Sequence, residues 1–226
     1  GISNNGTITY TLSYDPAQVA NEIDGLVRGF VQTRQSLIAS TSKVPGLMER
    51  RMAAAASDPV SVKATPSGEG LALGFASSLA QIDAARNAAD GVIAAQPSRF
   101  NAWIEGAVFA HKRDDNAGRW GSFAMVSFGA DYLLSERLLL GLSFHYDRMS
   151  DPTDADAKLT GNGWLAGPYA SVALAENVFW DTSLRYGGSS NDIDTAFWDG
   201  EFDTTRWLID SAVKGQWQFG QDMILT

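Results

Sequence analysis

In "LLLGLSFHYDRM", residues 138–149, Ser143, His145 and Asp147 stand at alternate positions, the three residue types of a hydrolytic triad. A hydroxyl nucleophile, an imidazole base and an orienting carboxylate must converge on one reacting atom. Alternate residues of an extended segment project in parallel from one face instead. The trio is therefore read as neighbours along a strand and not as a catalytic site. His111 is the only other histidine. "NDIDTAFWDGEFD" gathers Asp192, Asp194, Asp199, Glu201 and Asp203. Such oxygen ligands suit calcium, but their spacing is not that of an EF-hand, and a hydrated extracellular loop is the reading taken. "GEGLALG" has neither the spacing nor the lysine of a phosphate-binding loop. The lack of cysteine removes thiolate zinc sites, thiol nucleophiles and disulfides. A net charge of −9 with no basic run argues against nucleic acid as a partner. The chain is expected to be no enzyme and to use no cofactor and no metal.

The element that carries Ser143, His145 and Asp147 is more informative than the trio. Its other parity is Leu138, Leu140, Leu142, Phe144 and Tyr146. From Phe100 onward six segments repeat this period of two, which signals strands with two unlike faces. The polar parity brings Arg119, Asp131, His145, Asp147, Asp181, Arg185, Arg206, Asp210 and Lys214 to one side. Between two soluble sheets so many charges would cost several kcal/mol each, whereas a water-filled lumen leaves them hydrated. These nine are the expected pore-lining residues. The apolar parity is punctuated by Trp120, Tyr132, Tyr146, Trp164, Trp180, Tyr186, Trp207 and Trp217, as the aromatic girdles at two membrane interfaces would be. The connections alternate too. "LLSERLLL" and "ALAENVFW" are tight, while "HKRDDNAGRW", "RMSDPTDADAKLTGNG" and "GGSSNDIDTAFWDGEFD" read as long loops. No run of 18 apolar residues exists to form a transmembrane helix, but barrel strands are too short to give one. The fold class expected is mainly β with an N-terminal helical region, the strands forming an antiparallel up-and-down transmembrane β-barrel.

Three regions follow. Residues 1–14 hold one alternating segment, "TITYTLSY", expected to end an upstream β-domain. Residues 15–99 are helical: Asp15 caps and Pro16 opens a helix reaching about Ser40, and "KVPGLMERRMAAAA" continues after the Pro45-Gly46 break. "DPVSVKATPSGEG" reads as loop and short strand, and "SSLAQIDAARNAAD" as a helix capped by Ser77 or Ser78 and stopped at Gly91. Residues 100–226 hold the six strands. A helix of about 20 residues spans about 30 Å, the apolar thickness of a membrane. The helix from Leu79 to Asp90, just before the first strand, is the expected pore plug, with the helix from Pro16 as the alternative.

"FNAWIEGAVFAHKRD", "GSFAMVSFGADYLLSERLLLG", "GNGWLAGPYASV" and "FDTTRWLIDSAVKGQW" resemble the C-terminal translocator domain of autotransporters, the type V secretion proteins. "GFVQTRQSLIAS" and "LGFASSLAQIDAA" resemble the stretch before the barrel in alphaproteobacterial members. The resemblance implies a twelve-stranded barrel in the bacterial outer membrane, a helical linker in its pore and a passenger at the cell surface. It implies outer membrane lipid, the chain's own passenger domain and the barrel-insertion machinery as partners. Six strands make about half of such a barrel, so the chain is expected to be part of a longer one. The alternatives are a porin-like passive channel and a soluble β-rich binding module with a helical arm.

Overall fold

The computed structural model describes residues 15–67, 70–91, 98–112, 119–152, 157–195, 199–215, 217–219 and 223–225, so the strand expected over Thr7 to Tyr14 lies outside the described residues. Helices α1 (Pro16–Thr41) and α2 (Leu47–Ala53) come first. Strands β1 (Ser61–Ser67) and β2 (Gly70–Ser78) follow, then α3 (Leu79–Ala89). Six long strands come next: β3 (Phe100–His111), β4 (Gly121–Ser135), β5 (Leu138–Pro152), β6 (Lys158–Ala175), β7 (Val178–Asp194) and β8 (Asp199–Gly215). Strands β1 to β8 form one antiparallel sheet in sequence order, and β9 (Trp217–Phe219) pairs separately with β10 (Met223–Leu225).

Two expectations change. The sheet holds eight strands, and it begins at Ser61 rather than at Phe100. The added hairpin was hard to see because β2 alternates Leu71, Leu73 and Phe75 with the small Ala72, Gly74 and Ala76, while β1 carries Pro66, a residue confined to edges and strand ends. The loops at one end are also shorter than expected. Strand β7 runs on through Asp192 to Asp194, and β8 starts at Asp199, taking Glu201 and Asp203 into the sheet. Polarity marked these residues as loop, yet their backbone groups stay paired.

The helices form for local reasons. The Asp15 carboxylate accepts from the Ala17 amide at 2.9 Å and proline occupies the first turn of α1. At the far end the Ser42 amide donates to the Ile38 carbonyl at 2.8 Å. Glu49 reaches back to the Gly46 amide at 2.9 Å to start α2. Ser78 caps α3 by accepting from the Gln81 amide, and Gly91, at φ 64°, follows its end.

Helix α1 and the sheet share one core. Phe30 and Ile38 pack with Phe123, Met125, Met149, Leu159, Leu165 and Ile193, and Phe109, Phe202 and Leu208 border the cluster. A helix is about 10–12 Å wide, while six strands at about 4.8 Å spacing would lie flat across twice that. For β3 to β8 all to reach one helix the sheet must curl around it. A second cluster, Leu47, Met48, Trp103, Leu139, Tyr169, Ala173 and Phe179, seats α2 lower on the same face.

The outer face shows how the strands lean. Phe100, Tyr132, Leu140, Ala170, Thr182 and Ser211 pair in one line across β3 to β8. The last large apolar side chain above that line is Trp207 on β8, Tyr186 on β7, Trp164 on β6, Tyr146 on β5 and, by way of Ala110, Leu71 on β2. Counted along the strands, this edge climbs about one residue per strand from β8 to β2; a rise of about 3.3 Å over a spacing of about 4.8 Å is a tilt of about 35°, as closed barrels show. The belt itself runs from Leu138 to Tyr146, from Trp164 to Leu174 and from Val178 to Tyr186. Those lengths match the 9–11 residues of a tilted strand crossing a bilayer.

Candidate functional site

The inner face is where side chains from distant parts of the chain meet. Along β3 to β8 the residues of inward parity point at α1 and α2. Asp131, His145, Asp147, Asp181 and Arg185 are buried there, and Arg206, Asp210 and Lys214 are half-buried beside them. Arg119 is placed differently: it precedes β4 and is exposed.

The charges are not hydrated, as a water-filled lumen would leave them. They are paired, with α1 and α2 and with one another across the wall. Arg34 on α1 donates from Nε to Asp147 Oδ1 at 2.6 Å, with side chains 4% and 3% exposed. A second nitrogen of Arg34 donates to Asn191 on β7. Arg206 on β8 takes the other oxygen of Asp147 at 2.7 Å. One carboxylate thus holds two arginines, and both of its oxygens are used. Lower down, Arg185 donates to the Ser42 carbonyl at the end of α1. The last turn of α1 holds no basic residue, so the wall supplies the positive charge that a helix C-terminus favours. Asp210 is its electrostatic partner. Lys214 bridges Glu49 of α2 at 2.6 Å and Asp181 of β7 at 2.8 Å. The Leu47 amide donates to Ser171 Oγ at 2.9 Å, and Ser171 in turn donates to Asp181. At the bottom Arg50 of α2 pairs with Asp131, which also accepts from the Tyr169 hydroxyl at 3.0 Å. Tyr169 itself accepts from the Trp103 indole at 2.8 Å.

These contacts have a vertical order. Residues 34 and 42 meet the wall at successively lower levels, residues 49 and 50 of α2 meet it below them, and the charge presented by the helices is positive at 34, negative at 42 and 49, and positive at 50. A shift of α1 by one turn would set like charges against each other or leave a buried ion alone, which costs about 3–5 kcal/mol for a broken buried pair. The register of α1 is therefore fixed by electrostatics as well as by packing.

Glycines make room for the large inner side chains. A side-chain carbon at Gly129 would strike the Trp103 ring, one at Gly141 the Tyr169 ring, and one at Gly163 the Arg206 guanidinium. At these three positions a side chain from another strand stretches across the glycine.

The His145 trio does not assemble a triad. His145 Nδ1 meets Ser127 Oγ at 2.7 Å and Nε2 meets Ser143 Oγ at 3.1 Å, while Asp147 is committed to arginines. Among the described residues no cluster of His, Asp or Glu is arranged to hold a metal. The helix expected as the plug, Leu79 to Asp90, lies away from the inner face. Helix α3 sits between β2 and β3 at the end of the sheet that carries the tight turns, and only Gln81 of it is buried. The helix against the inner face is α1, the alternative. Sequence reasoning missed Arg34, Arg50, Glu49 and Ser42. Arg34 did leave a signal: it stands in the line Phe30, Arg34, Ile38, a cation in the middle of an apolar helix face.

On the outer face Tyr132, Tyr146, Trp164, Trp180, Tyr186 and Trp207 are exposed on their strands, and Trp120 just before β4. The side chain of Trp217 lies outside the described residues. Most stand in mid-strand rather than at strand ends. Phe128, Phe144, Trp164, Tyr186 and Trp207 follow one another across β4 to β8 with ring centroids 5.1, 6.4, 6.2 and 4.7 Å apart. No described helix is long and apolar enough to cross a membrane.

The family model of the autotransporter beta-domain matches residues 102–225, more than half of the chain, from β3 to β10. No curated protein and no solved structure matches.

Proposed function

Because the chain belongs to the autotransporter beta-domain family, whose members are non-enzymatic translocators in the bacterial outer membrane, we propose that α1 is the segment that occupies its pore and that α2 closes the pore's lower mouth. The observation that carries this is the Arg34–Asp147–Arg206 cluster, in which a helix cation is buried against the barrel wall. Reading α1 downward from residue 30 to residue 42 places its start, at Asp15, at the end opposite the tight turns. With the tight turns in the periplasm, that end faces outward, and residues 1–14 belong to the chain's own passenger. The barrel then starts at β1, which moves the boundary inside residues 15–99 and leaves α3 as a periplasmic connection between strands. Of the nine residues expected to line the pore, Asp131, Asp147, Arg185 and Lys214 become the sockets that hold the helices, and Asp181, Arg206 and Asp210 support them from the wall. Outer membrane lipid meets the aromatic belt, and the barrel-insertion machinery is the partner that assembles it. An alphaproteobacterial type is the assignment favoured by the residues around "GFVQTRQSLIAS".

The two apolar clusters around the helices would make the pore dry and its resting conductance low. The test is single-channel recording in planar bilayers. Removal of Pro16 to Ala53 is expected to raise conductance many-fold, and Arg34→Ala with Arg50→Ala to produce frequent openings. Removal of Leu79 to Ala89 is expected to leave the closed level unchanged. Conductance that ignores α1 and Arg34 overturns the assignment.

A further inference from the structure

Just above the aromatic belt the outer face changes character within one residue. Arg148, Asn162, Ser190 and Asp203 pair in one line across β5, β6, β7 and β8, and all four are exposed. None makes a side-chain hydrogen bond or ion pair among the described residues. They form a sequence of cation, amide, hydroxyl and carboxylate. Directly below them Gly188 pairs with Trp164, so above Tyr186, which meets that ring edge-on at 6.2 Å, β7 puts no side chain beside it. The result is a groove of about 360 Å³ lined by Tyr146, Asn162, Trp164, Gly188, Ser190 and Asp203. Trp164 differs here from Trp180 near the belt's lower edge. Trp180 gives its indole N–H to Ser211 at 2.9 Å, whereas the Trp164 indole N–H has no hydrogen-bond acceptor among the described residues.

We propose that this groove seats the phosphorylated disaccharide headgroup of an outer-leaflet glycolipid. The site is continuous with the lipid-facing belt, so its occupant enters from the membrane with acyl chains along Phe144, Tyr186 and Trp207. An indole ring at the interface offers an apolar face to sugar C–H groups and a polar edge to a hydroxyl. The line from Arg148 to Asp203 crosses three strand spacings, about 14 Å, the reach of two sugar rings with a phosphate and well beyond an ethanolamine headgroup. Polarity orients it. The phosphate lies at Arg148, the charged hydrogen-bond donor, and sugar hydroxyl or amino groups lie at Ser190 and Asp203, away from which an anion is repelled. The inference rests on the outward orientation given above for this end of the sheet.

The experiment is native mass spectrometry of the full chain in detergent micelles. The probes are a synthetic glucosamine-disaccharide lipid phosphorylated on one sugar, its dephosphorylated form and phosphatidylethanolamine of equal acyl length. The phosphorylated glycolipid is expected to bind about ten-fold tighter than phosphatidylethanolamine, about 1.4 kcal/mol. Arg148→Ser abolishes the preference for the phosphorylated form, and Asn162→Ala with Asp203→Asn weakens both glycolipids. Gly188→Leu fills the groove and does the same. Asp194→Asn, exposed but outside the groove, changes nothing. The four exposed substitutions touch no packed side chain, so their barrels fold. Equal affinity for all three lipids, or affinities untouched by Arg148→Ser and Asp203→Asn, overturns the proposal. A chain that selects the glycolipid yet conducts freely breaks the reading of α1 instead and leaves this one standing.

Discussion

The two faces of strands β3 to β8 are equally regular as sequence and opposite as physics. On the outer face Leu142, Leu184 and Ile209 have no protein over them. On the inner face the polar residues are the buried ones: Asp131, Asp147, Asp181 and Arg185 are all under a tenth exposed. Alternation in sequence reports that two environments differ. It does not report which is wet. The polar face of a barrel strand invites the picture of a water-filled channel, and the ions here were read that way. Once α1 and α2 are in place those ions sit among Phe30, Met125, Leu165 and Tyr169, and they survive there because the helices and the facing strands supply their counterparts.

The sharpest way to break the comparison is Asp147→Ala. It leaves Arg34 and Arg206 facing each other with no carboxylate between them. Loss of a buried ion partner costs about 3–5 kcal/mol, and here two cations lose it together. The urea midpoint of the folded barrel in lipid should fall accordingly, and single-channel openings should appear as α1 loosens. Arg34→Met should cost less, because Asp147 keeps Arg206. If both variants unfold like the parent chain, the inner face is wet after all.

The outer face is tested by depth. Leu142 stands midway along the belt on β5, between Leu138 and Tyr146, and is 67% exposed. Leu142→Arg should cost about 2–4 kcal/mol in a lipid bilayer, the range for a cation on the midplane of a barrel's lipid face. Ser150→Arg, on the same face of the same strand but above the aromatic row, should cost almost nothing. Urea titration in vesicles gives both numbers. Equal costs would mean that the belt is misplaced along the strands.

Much of this was legible in the chain itself, and the parts that were not share a cause. The long strands showed because each carries its own alternation, and α1 showed because its apolar spacing, Asp15 and Pro16 are local. The β1–β2 hairpin hid behind small residues, Pro66 and glycine. Proximity in sequence pointed to α3 as the plug, while the contacts that set α1 against the inner face join residues more than a hundred positions apart, as Arg34 and Asp147 do. Loop lengths were overestimated for a related reason. Above the belt the outer face is as polar as a loop, so Ser190 and Asp203 look unstructured until their pairing is seen.

Between the two faces lies the packing of glycine against large side chains. Gly141→Ala would push its methyl group into the Tyr169 ring. Tyr169 must then shift away from Asp131 and Trp103, the contacts that support Arg50. Overpacking of this kind costs about 1–3 kcal/mol. The loss should be smaller than that of Asp147→Ala and should come with altered near-ultraviolet dichroism from Trp103. Gly25, which has open space around it, should take the same change with no cost in packing.

The smallest effect separates the two edges of the belt. Trp180→Phe keeps an aromatic ring at its position but removes the indole bond to Ser211. One neutral hydrogen bond at a half-wet interface contributes about 0.5–1.5 kcal/mol, and the loss should sit at the low end because water can reach Ser211. Trp164→Phe removes an indole that bonds to nothing described in the protein, so in pure phosphatidylcholine vesicles it should cost nothing measurable. With a phosphorylated glycolipid added, the order should reverse: the parent chain is stabilised and the Trp164 variant is stabilised less. A Trp164 variant that loses stability in phosphatidylcholine alone would show that its indole serves the fold, and the two edges of the belt would then be alike.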